Sequence, residues 1–360
     1  VAADEIVDVR AEPWDVELSE PFGIATGAQS LARNVLVHVT LADGTIGLGE
    51  AAPFPAVNGE TQSVAMAAAL RGRAVLVGKD ARRLRPLSAA LAEALPESPS
   101  ARCAIECAAL DAVLRRARLS MWHFFGGAQE TLETDITIVT GTVEQARAAA
   151  LRARASGFAV LKVKVGGTSL EEDLRRLDAI VSAAPAARLV VDANGSLAPG
   201  EAVALVSHVG AARIALFEQP TEKDDVEGLR AVRERAAVLV AADESAQRPA
   251  DVVRLAKERA ADVVNVKITK SGLVEAIDVV AAARAAGLGL MIGGMVETPL
   301  AMTVSACLAA GQGGFQFVDL DTPLFMKRVP TQGGFVQDGP RIRVGEIGGG
   351  HGVTVAPTST

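Results

Sequence analysis

Cysteine and histidine are scarce in this sequence, and the few present fall into no ligand pattern. Of 360 residues three are cysteine, Cys103, Cys107 and Cys307, and none forms the C-x-x-C pair of a zinc site or redox dithiol. Cys103 and Cys107 lie one helical turn apart in ARCAIECAALDAVLRRA, which an amphipathic helix explains, so all three are expected as small buried hydrophobes. His38, His123, His208 and His351 are scattered, and none stands beside an acid that would end a strand. A histidine base or ligand is therefore not expected. Long apolar runs are missing too: no stretch of about 18 such residues occurs, so no membrane-spanning helix is expected. The net charge of -7 is modest and gives neither nucleic acid nor a membrane surface a reason to bind. The opening VAADEIVDVR is acidic where a secretory leader needs a basic segment and then an apolar run, so a cytoplasmic location is expected.

What is present is globular composition, 49% hydrophobic and 22% charged, at a length suited to two domains or to a barrel of about 250 residues with an added module. Near the start, NVLVHVTLADGTIGLGE has two alternating runs flanking Ala-Asp-Gly, a hairpin signal. From about Thr61 to Arg118 the chain turns Ala- and Leu-rich with helical periodicity. Strands followed by helices make an α+β module.

After about Glu133 short β-branched runs alternate with Ala/Arg/Glu-rich helical segments: TDITIVT, AVLKVKV, RLVVDAN, RIALFEQP, AVLVAADES, DVVNVKI, LGLMIGG and FQFVDLD. From the second run on, Lys164, Asp192, Glu218, Asp243, Lys267, Gly293 and Asp319 stand at or near the run ends, 24 to 28 residues apart. One strand plus one helix repeated through eight strands predicts a closed parallel α/β barrel. A doubly wound open sheet would need a phosphate-binding glycine turn, and VKVGGTSLEED lacks that fingerprint. The tail, with FVQDGPRIRVGE, reads as short strands returning to the opening module.

Reactive groups of such barrels gather where the strands end. Lys162 and Lys164 are two apart on one strand, so both face the same way, and inward is favoured because outward ammonium groups would meet the apolar face of the helix layer. Asp192, Glu218 and Asp243 each end an apolar run. Singly, each could be a helix N-cap or a solvated loop residue. Together at one mouth they would repel unless a cation held them, and an all-oxygen set suits Mg2+ or Mn2+. Lys267, ending the sixth run, is either a counter-ion for these acids or the partner of Lys164 across the mouth. A metal gripping a substrate carboxylate can stabilise the enediolate formed when the adjacent carbon loses its proton, and the Lys162 ammonium can add to that. Lysines near other cations have lowered pKa values, so Lys164 and Lys267 can act as base and acid on opposite faces. That describes a racemase or epimerase.

These residues resemble the enolase superfamily in its muconate-lactonizing-enzyme subgroup. The resemblance runs along essentially the whole chain: Lys162-Val163-Lys164, D-A-N from Asp192 to Asn194, E-Q-P from Glu218 to Pro220, D-E-S from Asp243 to Ser245, and N-V-K ending at Lys267. It implies a modified (β/α)7β TIM-type barrel, residues 126–324, with an α+β capping domain, residues 1–125, completed by residues 325–360. It also implies magnesium on Asp192, Glu218 and Asp243, with Lys164 facing Lys267. Asp319-Leu320-Asp321 is similar to the D-x-D of dipeptide epimerases, whose carboxylates clasp the substrate's α-ammonium; a turn with a helix cap is the plainer reading. By the same resemblance Thr137 and Met295 contact substrate backbone, and the loop PFGIATGAQS, with Ile24 and Thr26, closes over the side chain. Relatives acting on Ala-Glu carry an arginine in this loop. Here Gly27 stands in its place and the nearest cation is Arg33, so an apolar substrate side chain is expected; Glu297 could also receive a basic one, although support of the metal site or of a lysine is the favoured reading.

The reading is thus a Mg2+-dependent dipeptide epimerase moving the α-proton of the C-terminal residue, commonly a homo-oligomer in this family. The rivals are an N-succinylamino acid racemase or muconate cycloisomerase of the same fold, and a metal-independent Schiff-base lyase.

Overall fold

The computed structural model describes residues 3–329 and 331–355. The expected tail module of 325–360 is therefore described to residue 355 except for residue 330; the rest of that range, like residues 1–2, lies outside the described residues.

The chain opens with three antiparallel strands, β1 (Ile6–Ile24), β2 (Gly27–Leu41) and β3 (Ile46–Ala51), in sheet order β1-β2-β3. The Ala-Asp-Gly turn joins β2 to β3, with Gly44 at φ +87, a backbone region that favours glycine. A second hairpin was not legible in the sequence: β1 and β2 pair up to Ile24↔Gly27, so the expected loop PFGIATGAQS is a hairpin tip. Helices Gln62–Leu76, Leu84–Ala94 and Pro99–Ala117 cover one face of this sheet. The last of them lies so close to β3 that a Cβ on Gly49 would sit 2.0 Å from the Ala104 carbonyl oxygen, which requires glycine there.

A short strand, β4 (Thr131–Glu133), precedes eight parallel strands: β5 (Ile136–Ile138), β6 (Val160–Lys164), β7 (Arg188–Asp192), β8 (Ile214–Glu218), β9 (Val240–Ala242), β10 (Val263–Val266), β11 (Gly289–Ile292) and β12 (Phe315–Val318). They pair in chain order from β5 to β12. Alternation along each strand divides the side chains. Leu161, Val163, Leu189, Val191, Phe217, Val264 and Ile292 point outward into the core shared with the helices, whereas Val190, Leu216, Ala241, Val263 and Met291 fill the inside. Lys162 and Lys164 share the inward face, as the packing argument requires.

The expected closed ladder is not complete. No strand pairing joins β12 to β5, and the seam is held by other bonds: Asp135 N–H to the Val318 carbonyl (2.9 Å), Leu320 N–H to Thr134 Oγ1 (2.9 Å), and Thr137 N–H to Asp321 Oδ2 (2.5 Å). Strand β12 also ends at Val318, so Asp319 and Asp321 lie in the following loop, with Asp321 leading into the 3-10 turn Thr322–Phe325. Their common side is set by that loop and not by strand alternation. Asp321 makes no side-chain cap to the turn; its carboxylate turns back to Thr137.

The tail forms β13 (Thr331–Gln332), β14 (Val336–Asp338), β15 (Arg341–Arg343) and β16 (Thr354–Val355). Strand β15 pairs with β4, and buried His351 donates its backbone N–H to Asp111 while its ring lies 3.0 Å from the Leu48 carbonyl. The three cysteines are free and buried. Among the described residues no helix is long and apolar enough to cross a membrane.

Candidate active site

Six of the charged residues singled out along the barrel stand at a strand's carboxyl end. Lys164, Asp192 and Glu218 are the last residues of β6, β7 and β8, while Asp243, Lys267 and Asp319 each follow a strand by one position. All six are buried, as are Lys162 and Asp321.

The ammonium groups thread between the acids. Lys162 Nζ lies 2.6 Å from Asp319 Oδ2, 2.8 Å from Glu218 Oε2 and 3.1 Å from Asp192 Oδ2. Lys164 Nζ is 2.5 Å from Asp192 Oδ2, and Lys267 Nζ is 2.6 Å from Asp243 Oδ2. Lys270, which the sequence reading passed over, brings a fourth ammonium 2.7 Å from Asp243 Oδ1. Charges this deep persist only when paired.

The electrostatic consequences follow from that pairing. Burial disfavours the charged form of Asp192, but Lys164, Lys162 and Lys267 outweigh it and bring the carboxyl to about 2. Burial opposes the Asp243 anion as well, and Lys267 and Lys270 hold it far below the usual carboxylate range. Glu218 goes the other way, to about 7, through burial and the neighbouring Asp192, with Lys162 opposing. Burial works against the Lys267 ammonium, yet Asp243 and Glu218 hold it well above the ordinary lysine value. The lowered pKa expected for a lysine among cations is thus not met at Lys267, because its closest neighbour is a carboxylate.

Local structure sets these groups. Gln219, fully buried at φ +34, accepts the N–H of Asp243 (2.9 Å) and of Ser245 (3.2 Å), and so ties the end of β8 to the end of β9. Such a backbone angle is strained for a non-glycine residue. Asn265 donates to Glu218 Oε1 (2.7 Å), and the Asn194 N–H donates to Asp192 Oδ1 (2.9 Å). Arg176, buried with Asp173, donates to the Lys164 carbonyl (2.9 Å) and fixes the end of β6. The E-Q-P and D-A-N motifs point to Gln219 and Asn194; Arg176 and Lys270 lie in helical segments where nothing in the sequence sets them apart.

Asp135 was also missed. Its carboxylate and those of Asp319 and Asp321 are the one set of three acids, among the described residues, with ligand atoms all within 4.8 Å of one another. That is an arrangement able to hold a cation. Asp192, Glu218 and Asp243 do not form such a set, since Lys162 and Lys267 lie against them. Counting Asp135, Asp192, Glu218, Asp243, Glu244, Asp319 and Asp321 against Lys162, Lys164, Lys267 and Lys270, acids outnumber ammonium groups seven to four. The mouth is built to receive positive charge.

A narrow cleft opens here. Lys162, Lys164, Lys267, Thr137, Asp319 and Asp321 line it on the barrel side; Phe22, Ile24, Phe54, Val57, Met295 and Val296 line it with apolar surface. Strands β6 and β10, which carry Lys164 and precede Lys267, are separated by three others, so the two lysines reach the cleft from well-separated parts of the barrel. Ile24 is buried at the hairpin tip, whereas Thr26, in the two-residue turn, is exposed and does not line the cleft. At the tip of that two-residue turn Thr26 is left facing solvent. Phe54 and Val57 come from a second capping segment, around the short helix Pro55–Asn58, that the sequence reading did not single out. Arg33 is exposed and outside the cleft, and Glu297 is engaged with the Met295 N–H (2.8 Å).

Comparison with known proteins identifies the family. Residues 6–126 match the mandelate racemase/muconate lactonizing enzyme N-terminal domain, and residues 144–359 match the enolase C-terminal domain-like family. The chain belongs to the enolase superfamily, in its mandelate racemase/muconate lactonizing enzyme branch. It is an isomerase of the racemase and epimerase kind. An "Aromatic dipeptide epimerase" of Herpetosiphon aurantiacus is 49% identical over 350 residues, covering 97% of this chain and 98% of the relative. A crystal structure of a mandelate racemase/muconate lactonizing enzyme homologue from Sorangium cellulosum is 56% identical, with TM-score 0.95 over 99% of this chain and 100% of that one. A dipeptide epimerase from Enterococcus faecalis, crystallised with Mg and L-Leu-L-Tyr, is 30% identical, with TM-score 0.93 over 97% of this chain and 99% of that one.

Proposed function

We propose that this superfamily member is a Mg2+-dependent dipeptide epimerase that inverts the α-carbon of the C-terminal residue of its substrate and prefers an apolar, aromatic side chain there. The observation that carries the reading is a single cleft lined at once by Lys164, Lys267, the Asp319–Asp321 pair and an apolar wall built largely from the capping segments.

The donor chemistry suits a hard divalent cation: Asp192 and Glu218 end β7 and β8, Asp243 directly follows β9, and all three offer only oxygen and are fully buried or nearly so. Glu218 Oε2, though close to Lys162, lacks an aligned hydrogen bond. Magnesium on these three would supply Lewis-acid charge to the substrate carboxylate, making the adjacent C–H more acidic.

The chain's own residues do the rest. Lys162, buried among the acids, carries an ammonium that can meet the same carboxylate. One of Lys164 and Lys267, as the neutral amine, takes the α-proton; the other, as the ammonium, delivers a proton to the opposite face. One C–H bond breaks and one forms, and the two lysines end with exchanged protonation states. Asp319 and Asp321 accept the substrate's α-ammonium, while Thr137 and Met295 bound its backbone. Phe22, Ile24, Phe54 and Val57 cover the side chain, and no arginine lines the cleft among the described residues. An acidic side chain would find no cationic partner on that wall. The aromatic dipeptide preference in the name of the Herpetosiphon relative supports the same choice.

The test is incubation with Mg2+ and L,L-dipeptide libraries in deuterium oxide, with α-deuterium read by mass spectrometry. Exchange on dipeptides with Phe, Tyr or Leu at the C-terminal position, lost on chelation, is the expected result. Exchange confined to N-succinyl amino acids would replace the substrate assignment, and borohydride trapping with indifference to chelator would replace the mechanism.

A further inference from the structure

The acids at the barrel seam are three, while the D-x-D pair accounts for two. Asp135, just before β5, is 3% exposed and does not line the cleft. Its backbone N–H is spent on the Val318 carbonyl, which docks it against the strand that leads to Asp319 and Asp321. Its carboxylate then meets both of theirs within 4.8 Å. Two oxygens in this cluster, Asp135 Oδ1 and Asp321 Oδ1, are buried without any hydrogen-bond partner. Unpartnered buried oxygens of this kind are costly and point to a donor that arrives from outside.

The groups facing Asp135 are Asp319 and Asp321 from the loop after β12, Lys162 from β6 and, further off, Glu218 from β8. Lys162 is the one cation among them, and it is already shared by Asp319, Glu218 and Asp192. Three carboxylates cannot all stay ionised around a fraction of one ammonium. Burial and the charges of Asp319 and Asp321 push the Asp135 carboxyl well above the usual range. A primary ammonium entering the cleft brings one positive charge and three donors, and it satisfies such a cluster where a neutral N-acyl amide, with one donor, does not.

Resting on the dipeptide reading, we propose that Asp135 is a positioning residue for the substrate's α-ammonium. From behind the cleft wall it holds a proton against Asp321 while substrate is absent, and that proton is released when the ammonium binds. Binding is then proton-linked, and the cluster selects a free amine over an N-acylated one.

The experiment is isothermal titration of the Mg2+-loaded protein with a dipeptide it exchanges, near neutral pH in buffers of different ionisation enthalpy, alongside steady-state kinetics. Wild type is expected to release protons on binding. Asp135→Asn is expected to release fewer, with KM raised about tenfold and kcat changed much less, since one hydrogen-bonded charge is worth roughly that factor. Asp135→Glu, which keeps the carboxyl, is expected to restore part of the proton release. No proton release by wild type overturns the proposal even if neither variant folds. So does an Asp135→Asn protein with unchanged KM and proton count, or one that loses only thermal stability and kcat. Loss of Mg2+ binding by Asp135→Asn in the absence of dipeptide would make the cluster the metal site and overturn it too. If wild type exchanges no dipeptide at all, the substrate assignment has failed, a result separable from any of these.

Discussion

The backbone N–H of Thr137 donates a 2.5 Å hydrogen bond to Asp321 Oδ2, and this bond spans the seam that strand pairing leaves open between β5 and β12. A residue proposed to hold substrate is thereby also part of the barrel's closure. Asp321→Asn keeps an oxygen for the Thr137 amide and removes a charge that burial and Asp319 oppose, the carboxyl standing at about 7. Asp321→Ala leaves that amide buried and unsatisfied, at a cost of about 1–3 kcal/mol. Denaturant unfolding should find Asp321→Asn at least as stable as wild type and Asp321→Ala less stable, while both lose kcat/KM on dipeptides. Equal stability of the two variants would remove the closure role.

The two lysines make separable predictions. If Lys164 and Lys267 work on opposite faces of the α-carbon, Lys164→Ala and Lys267→Ala should each lose epimerisation by about 100-fold or more. Each should still wash deuterium into one stereoisomer, and the two variants should retain opposite ones. Mass spectrometry on L,L and L,D substrates reads this directly. Loss of exchange from the same isomer in both variants would contradict opposed bases.

Barrel, metal-ligand candidates and lysines were legible because a strand-plus-helix repeat brings its carboxyl ends to one mouth whatever the helices contain. Position in the repeat was therefore enough to bring Lys164, Asp192, Glu218, Asp243 and Lys267 to the strand ends. Asp135 was not legible, because it acts from the start of its strand across a seam, and its partners are 184 and 186 positions away in the chain. Phe54 and Val57 were hidden for a related reason: they reach the cleft from the capping segment, and no periodicity links that segment to the barrel. Asp319 and Asp321 were legible as a motif but not in their setting, since β12 has already ended before them and the following loop places them.

The apolar wall should decide which side chain is accepted. Removing the ring of Phe54 or the branch of Ile24 exposes surface that an aromatic substrate would otherwise bury, worth about 2 kcal/mol or roughly thirtyfold. Phe54→Ala and Ile24→Ala should lower kcat/KM by that order on a phenylalanine-terminated dipeptide and little on Ala-Ala. A uniform loss on both substrates would show that these residues hold the cap in place without reading the side chain.

Glu297 offers a stability test away from the proposed metal ligands. Burial raises its carboxyl to about 7 despite the hydrogen bond from the Met295 N–H, with Glu50 adding to the rise and Lys267 opposing it. Because the folded value lies above the model-peptide value near 4.5, the folded protein holds this proton more tightly than the unfolded chain. The stabilisation is present in full below about pH 4.5 and is lost as pH rises to about 7. Glu297→Gln cannot lose the proton and should remove that part of the slope. With chelator present, urea unfolding of wild type and variant at pH 5 and pH 7.5 should show wild type losing more stability across the interval. Parallel behaviour of the two proteins would mean that Glu297 is already ionised in the folded state.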